Sequence, residues 1–177
     1  DPVDLTHRLQ WQGGTAEFSA TIPRAGQNNI AIKASLANID VGNLLAALPI
    51  TLPEQIRDLD GQTSGSVDIT GLPDDSRGEI NLAAAKGIIA GQPFDGLTVK
   101  AVFSGTRVEL QQATLRLGAG QVSATGSYDR SSSSFDFDLG GKAVPMPVLL
   151  ALLPKNENIP IVTGDVDFTA KATGISD

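Results

Sequence analysis

The side chains able to do chemistry in this chain are few, and each stands where a strand face or a turn would use it. His7 is the only histidine, and there is no cysteine. It lies in the alternating stretch Leu5, His7, Leu9, Trp11. Zinc sites draw on several ligands, and a Ser-His-Asp arrangement would hang on this one imidazole, so a structural strand histidine is the simpler reading. Carboxylates pair as Asp136 with Asp138 and as Asp165 with Asp167. They fall opposite Phe135 and Phe137, and opposite Val166 and Phe168, which marks the wet side of two strands. Asp58-Leu59-Asp60-Gly61 opens like a calcium loop but lacks the downstream ligands and the closing Glu. Glycosidase chemistry would need a cleft and aromatic platforms, for which Trp11 and Tyr128 are the best candidates. Gly118-Ala119-Gly120 has no following Lys-Ser/Thr, so it reads as a tight turn, not a phosphate cradle. A hydrolytic enzyme therefore has no supporting constellation, and no catalytic group, metal or cofactor is expected.

The elements that would position these residues are mostly strands. Apolar residues make up 41% of the 177 but aromatics only 5%, and 19 Gly and 10 Pro are spread along the chain. Many short strands separated by turns have this composition. Ala16, Phe18, Ala20 and Ile22 alternate with Glu17, Ser19 and Thr21. The same period of two runs through Ile30 to Leu36, Val67 and Ile69, Ile80 to Ala84, Leu97 to Phe103, and Val108 and Leu110. It continues through Leu115 and Leu117, Val122 to Tyr128, Phe135 to Leu139, and Val166 to Ala170. One-sided alternation of this kind predicts antiparallel strands with a wet and a dry face. Two Leu-rich segments, Val41–Leu48 and Met146–Leu153, read instead as short helices stopped by Pro, with Asn43 and Pro147 at their starts. Pro53–Leu59 adds a possible helical turn. Helices this short need the sheet to support them. Ser131 to Ser134 fits a hairpin tip.

The net charge of −7 and the lack of a basic patch argue against nucleic acid. No apolar run reaches the roughly 18 residues that span a bilayer. The chain begins at Asp1 and stops in mid-pattern, so it reads as a piece of something longer, with targeting and anchoring elements elsewhere.

A repeat organises the whole. Leu44-Leu45-Ala46-Ala47-Leu48-Pro49 returns as Leu149-Leu150-Ala151-Leu152-Leu153-Pro154, and Gly65-Ser66-Val67-Asp68-Ile69-Thr70 as Gly164-Asp165-Val166-Asp167-Phe168-Thr169. The spacing of roughly 100 residues suggests a supersecondary unit tiled along one axis. Residues 1–40 then end one unit, 41–140 make a complete one, and 141–177 begin the next.

The order of these elements carries a resemblance. A Leu-rich helix ending in Pro leads to Gly65–Gly71, a proline turn at Leu72-Pro73-Asp74-Asp75, then Gly78-Glu79-Ile80-Asn81-Leu82 and Asp95-Gly96-Leu97-Thr98-Val99. Val108-Glu109-Leu110, Leu115-Arg116-Leu117 and Val122–Tyr128 close the unit. From about Ile30 to Gly174 this resembles the repeat regions of the bacterial AsmA-like superfamily, and within it the TamB translocation and assembly family. The resemblance implies an inner-membrane-anchored periplasmic protein with a long curled β-sheet. Its apolar inner groove would serve phospholipid traffic or outer-membrane protein assembly, with an outer-membrane partner for the whole protein.

The expected architecture is thus a mostly β, elongated, curled antiparallel sheet with short helices at unit boundaries. Its groove face would carry Ile80, Leu82, Leu97, Val99, Phe103, Leu110, Leu115, Leu117, Val122, Phe135, Phe137, Val166 and Phe168. Lipid acyl chains or hydrophobic client strands are the expected partners. Composition and spacing alone lean towards a closed structural or adhesive sandwich or solenoid, because alternating large and small residues also pack a closed core. The resemblance favours the groove.

Overall fold

A computed structural model describes residues 2–11, 13–23, 29–40, 60–72, 76–89, 91–152 and 162–175. The helical expectations for Val41–Leu48 and Pro53–Leu59 lie outside these residues. Eleven strands form: β1 (Val3–Trp11), β2 (Gly14–Ile22), β3 (Ile30–Asp40), β4 (Asp60–Leu72), β5 (Arg77–Ile89) and β6 (Gln92–Phe94). They continue with β7 (Gly96–Ser104), β8 (Arg107–Leu117), β9 (Gly120–Asp129), β10 (Ser134–Pro145) and β11 (Asp165–Ile175). They make one antiparallel sheet in the order β1-β2-β3-β4-β5-β7-β8-β9-β10-β11, with β6 folded back onto the end of β5. The sheet does not close, and β1 and β11 are its two edges. The described residues therefore form a single sheet and not the two facing sheets of a sandwich. Consecutive strands are hydrogen-bonded neighbours except β6 and β7, which both pair with β5.

The turns show why the strands stop where they do. Gly118 adopts φ 63° between β8 and β9 and donates its N–H to Asp95 Oδ2 at 2.6 Å. A left-handed backbone of this kind favours glycine. The glycine run is thus a hairpin turn tied down by a carboxylate. Residues 130–133 turn between β9 and β10, where Asp129 Oδ1 accepts from both the N–H and the hydroxyl of Ser131, at 2.8 and 2.6 Å. Those bonds, led by the Ser131 hydroxyl, hold the Asp129 carboxyl below its ordinary pKa.

The one helix among the described residues, α1 (Met146–Leu152), follows β10 directly. Pro147 in its first turn needs no N–H partner, and Met146 N donates to Gly164 O at 2.9 Å. Val148 of α1 packs into the main hydrophobic cluster, with Ala84, Phe94, Leu117 and Val144. That cluster sits at the margin where β5, β8 and β10 end.

Register shifts interrupt the sheet. They fall between Ile30 and Ile32 and between Leu36 and Ile39 in the β3–β4 pair, beside Thr63 in the β4–β5 pair, between Leu110 and Ala113 in β8, and between Gly141 and Val144 in β10. Such bulges bend a strand and sharpen its twist. Those in β3 and β10 share a geometry. Asn38 (φ 55°) and Ala143 (φ 48°) are left-handed, and each precedes a buried residue, Ile39 (2% exposed) or Val144 (0%). The next strand accepts each bulge N–H: Asn38 N donates to Ser64 Oγ at 3.1 Å, and Ala143 N to Asp167 Oδ1 at 2.7 Å. The expected unit boundaries fall at the end of β3 and inside β10, and the sheet runs through both.

Candidate functional site: a one-sided apolar face

Directly opposed residues of an antiparallel pair share a face, so the register assigns every side chain to one side of the sheet. Leu82 pairs with Val99, Leu97 with Leu115, and Leu115 with Val122. Ile80 lies opposite Ala101, which lies opposite Leu110; Gly78 lies opposite Phe103. Phe135 pairs with Tyr128 and Phe137 with Gly126; Phe168 pairs with Gly141 and Val166 with Val144. With Leu117 opposite Gly120, all thirteen residues expected on the groove face lie on one face. The same face continues through Val67 and Ile69 of β4, Ile32 and Ala34 of β3, and Ala16 and Phe18 of β2. It reaches Val3, Leu5, His7 and Leu9 of β1. No charged residue stands among these positions. The bulges preserve this sorting: β8 inserts one extra residue after Leu110, so that Ala113, Leu115 and Leu117 still face the same way.

The thirteen do not share one environment. Leu97, Leu115, Val122, Val166 and Phe168 pack against the cluster at the α1 margin, and Leu117, 3% exposed, belongs to its interior. Leu117 is therefore a core residue and not open surface. Ile80, Leu82, Val99, Phe103, Leu110, Phe135 and Phe137 are half-buried. Phe135 and Phe137 stack along β10 with ring centroids 6.3 Å apart.

Sequence reading misses two features. Phe94, 2% exposed, anchors the marginal cluster, yet it sits in a three-residue strand too short to show alternation. The second is a pairing of phenylalanine with glycine. The rings of Phe103, Phe137, Phe168 and Phe135 occupy the space where a side chain on Gly78, Gly126, Gly141 and Gly174, respectively, would stand. A ring set over a neighbouring glycine covers its backbone and fills the space that a side chain would take. Glycines recurring on strands two or more positions from any turn are the signal that would have pointed to this.

The opposite face is polar and laced with ion pairs. Lys33 meets Asp68 at 2.8 Å, Lys100 meets Glu79 at 3.5 Å, and Arg8 pairs with Glu17. Lys171 bridges Asp136 at 2.9 Å and Asp138 at 3.6 Å, which accounts for the first aspartate pair. A hydrogen bond from Asn81, helped by the Lys100 charge, lowers the Glu79 pKa, and the hydrogen bond to Asp136 raises that of Lys171. Such exposed pairs contribute little to stability but commit this face to water. Asp167 is spent on the β10 bulge. Among the described residues no three His, Cys, Asp or Glu side chains converge as metal ligands. His7 lies on the apolar face opposite Phe18 and belongs to no such group among the described residues.

No protein-family description, no curated protein and no solved structure matches this chain.

Proposed function

We propose that this chain is a non-enzymatic segment of an AsmA-like, TamB-type protein, and that its apolar face forms a curled groove carrying phospholipid acyl chains. The family resemblance supplies the setting: the periplasm, between an inner-membrane anchor outside this chain and the outer membrane. No helix among the described residues is long and apolar enough to cross a membrane.

The observation that carries the reading is the unbroken, uncharged apolar face running across ten strands. Each methylene laid against such a surface contributes about 0.8 kcal/mol, so a few contacts per strand would hold an acyl chain without any charge-specific group. Acyl chains suit the face better than client strands do. A polypeptide lying across apolar side chains would leave its N–H and C=O groups without partners, whereas an acyl chain has none to satisfy. Bulges bend strands and sharpen their twist, which a curled sheet would need. The recurrence of the bulge, its buried neighbour and its side-chain acceptor in β3–β4 and β10–β11 supports a tiled unit.

A photo-crosslinker placed at Val99 or Phe103, on the apolar face, should capture lipid in cells, and one at Lys100, on the polar face, should not. Equal labelling at the three sites would sink the proposal. Capture of protein but no lipid at Val99 and Phe103 would transfer it to outer-membrane protein assembly. A lipid-free protein by native mass spectrometry would favour a purely structural role for the sheet.

A further inference from the structure

The two margins of the apolar face, at opposite ends of the strands, differ in what they offer a ligand. At the α1 margin the polar groups are engaged within the chain. Arg116 donates to Asp95 O at 3.3 Å, Asp95 Oδ2 accepts from Gly118 N, and Asp167 Oδ1 accepts from Ala143 N. The apolar surface there is sealed by Phe94, Leu117, Val144 and Val148. The opposite margin is built from hairpin tips. Its last apolar row runs Gly78, Phe103, Val108, Tyr128, Phe135, Gly174, each opposite the next. The chain's only tyrosine thus stands at this rim, in one row with two phenylalanines. Its hydroxyl has no hydrogen-bond partner among the described residues. Tyrosine suits a boundary between an apolar surface and a wet one.

Two arginines are its neighbours in the register. Arg107 lies opposite Asp129, the residue after Tyr128, and Arg130 follows one position later. Arg130 N donates to Thr106 O at 2.9 Å, which holds the two tips side by side. The carboxylate between the arginines, Asp129, accepts from Ser131. Arg107 donates only to the Ser127 hydroxyl, at 3.4 Å, and Arg130 pairs with no carboxylate among the described residues. A guanidinium in this state is a ready donor to phosphate, which it binds in a two-point fork.

We infer that Arg107, Arg130 and Tyr128 form a rim for the phosphate headgroup of an anionic phospholipid, whose acyl chain runs along the strands towards α1. The inference rests on the acyl-chain reading above and adds orientation and headgroup preference to it. The lengths agree. Phe103 at the rim and Leu97 at the sealed margin are six positions apart in β7, about 20 Å. An acyl chain covers about 15 Å, half the hydrocarbon core of a bilayer. Seated this way, the lipid lays its methylenes on the open face and leaves its phosphate in water beside cations. The reverse orientation would press the phosphate against Leu117 and Val144, a costly burial of charge.

The test offers the chain equimolar phosphatidylglycerol and phosphatidylethanolamine with identical acyl chains and reads the bound lipid by native mass spectrometry. The unmodified chain should hold the anionic lipid roughly fivefold over the zwitterionic one. Arg107→Gln combined with Arg130→Gln should bring that ratio near one while total bound lipid stays the same. Lys142→Gln, at the α1 end of β10, should leave the ratio as it was. Phosphatidylglycerol with a diazirine at the last acyl carbon should label Leu97 or Leu115, and one with the diazirine next to the glycerol should label Phe103 or Tyr128. An unmodified chain without preference, a double variant that keeps it, or reversed labelling overturns the rim and leaves the acyl-chain reading standing, since lipid is still bound. Loss of the preference in excess inorganic phosphate also overturns it, because the arginines then take a free anion and not a headgroup. A chain that binds neither lipid overturns the acyl-chain reading and the rim with it.

Discussion

Phe94 and Leu5 lie on the same face of one sheet, yet the first is 2% exposed and the second 54%. Around Phe94 the face meets a further layer: β6 folds back, α1 follows β10, and Val144 and Val148 close over Ala84 and Leu117. Around Leu5 no element among the described residues lies over the face, and Val3, Leu9, Phe18 and Ile22 stay exposed beside it. The difference teaches that alternation chooses a face and no more. Burial also needs an element on top, and β6 and α1 supply one at a single margin.

Substitutions at the two regions test that contrast. Phe94→Ala should cost the most, about 3–5 kcal/mol of unfolding free energy in urea, because the ring leaves a cavity in the closed margin. A loss under about 1 kcal/mol would mean that the margin is not a packed core. Gly141→Ala probes the ground between the regions. The new methyl collides with the Phe168 ring, and overpacking of this sort costs about 1–3 kcal/mol. Stability equal to that of the unaltered chain would show that the ring does not need the space over Gly141. Leu5→Ala should change least, within about 0.5 kcal/mol. A cost comparable to that of F94A would show that the β1–β2 surface is covered after all and would erase the distinction.

Much of this fold is legible from side-chain spacing. The alternation in Leu97, Val99, Ala101 and Phe103 names both the strand and its dry side. Met146-Pro147-Val148 announces a helix that starts on a proline and has an apolar flank. The turn at Gly118 and the hairpin tip at Ser131 to Ser134 follow from residue types alone. Other features are illegible for physical reasons. Phe94 has too few strand neighbours to form a pattern. The bulge at Ala143 is invisible because alanine carries no signature of a left-handed backbone. It exists because Asp167, on another strand, accepts its N–H. The Phe-over-Gly pairs are likewise a cross-strand fact: Gly141 and Phe168 are far apart in sequence and meet only through the register.

What the sequence determined by itself is the two-sidedness of the sheet, since period-two hydrophobicity is a local property of each strand. It also determined the scarcity of chemistry: one histidine, no cysteine, and aspartates placed on the wet face. Only the tertiary structure decided that all the dry faces join into one surface, because that depends on registers and bulges set between strands. It alone decided which part of that surface is sealed and which is bare. Those outcomes depend on where β6 and α1 meet the sheet.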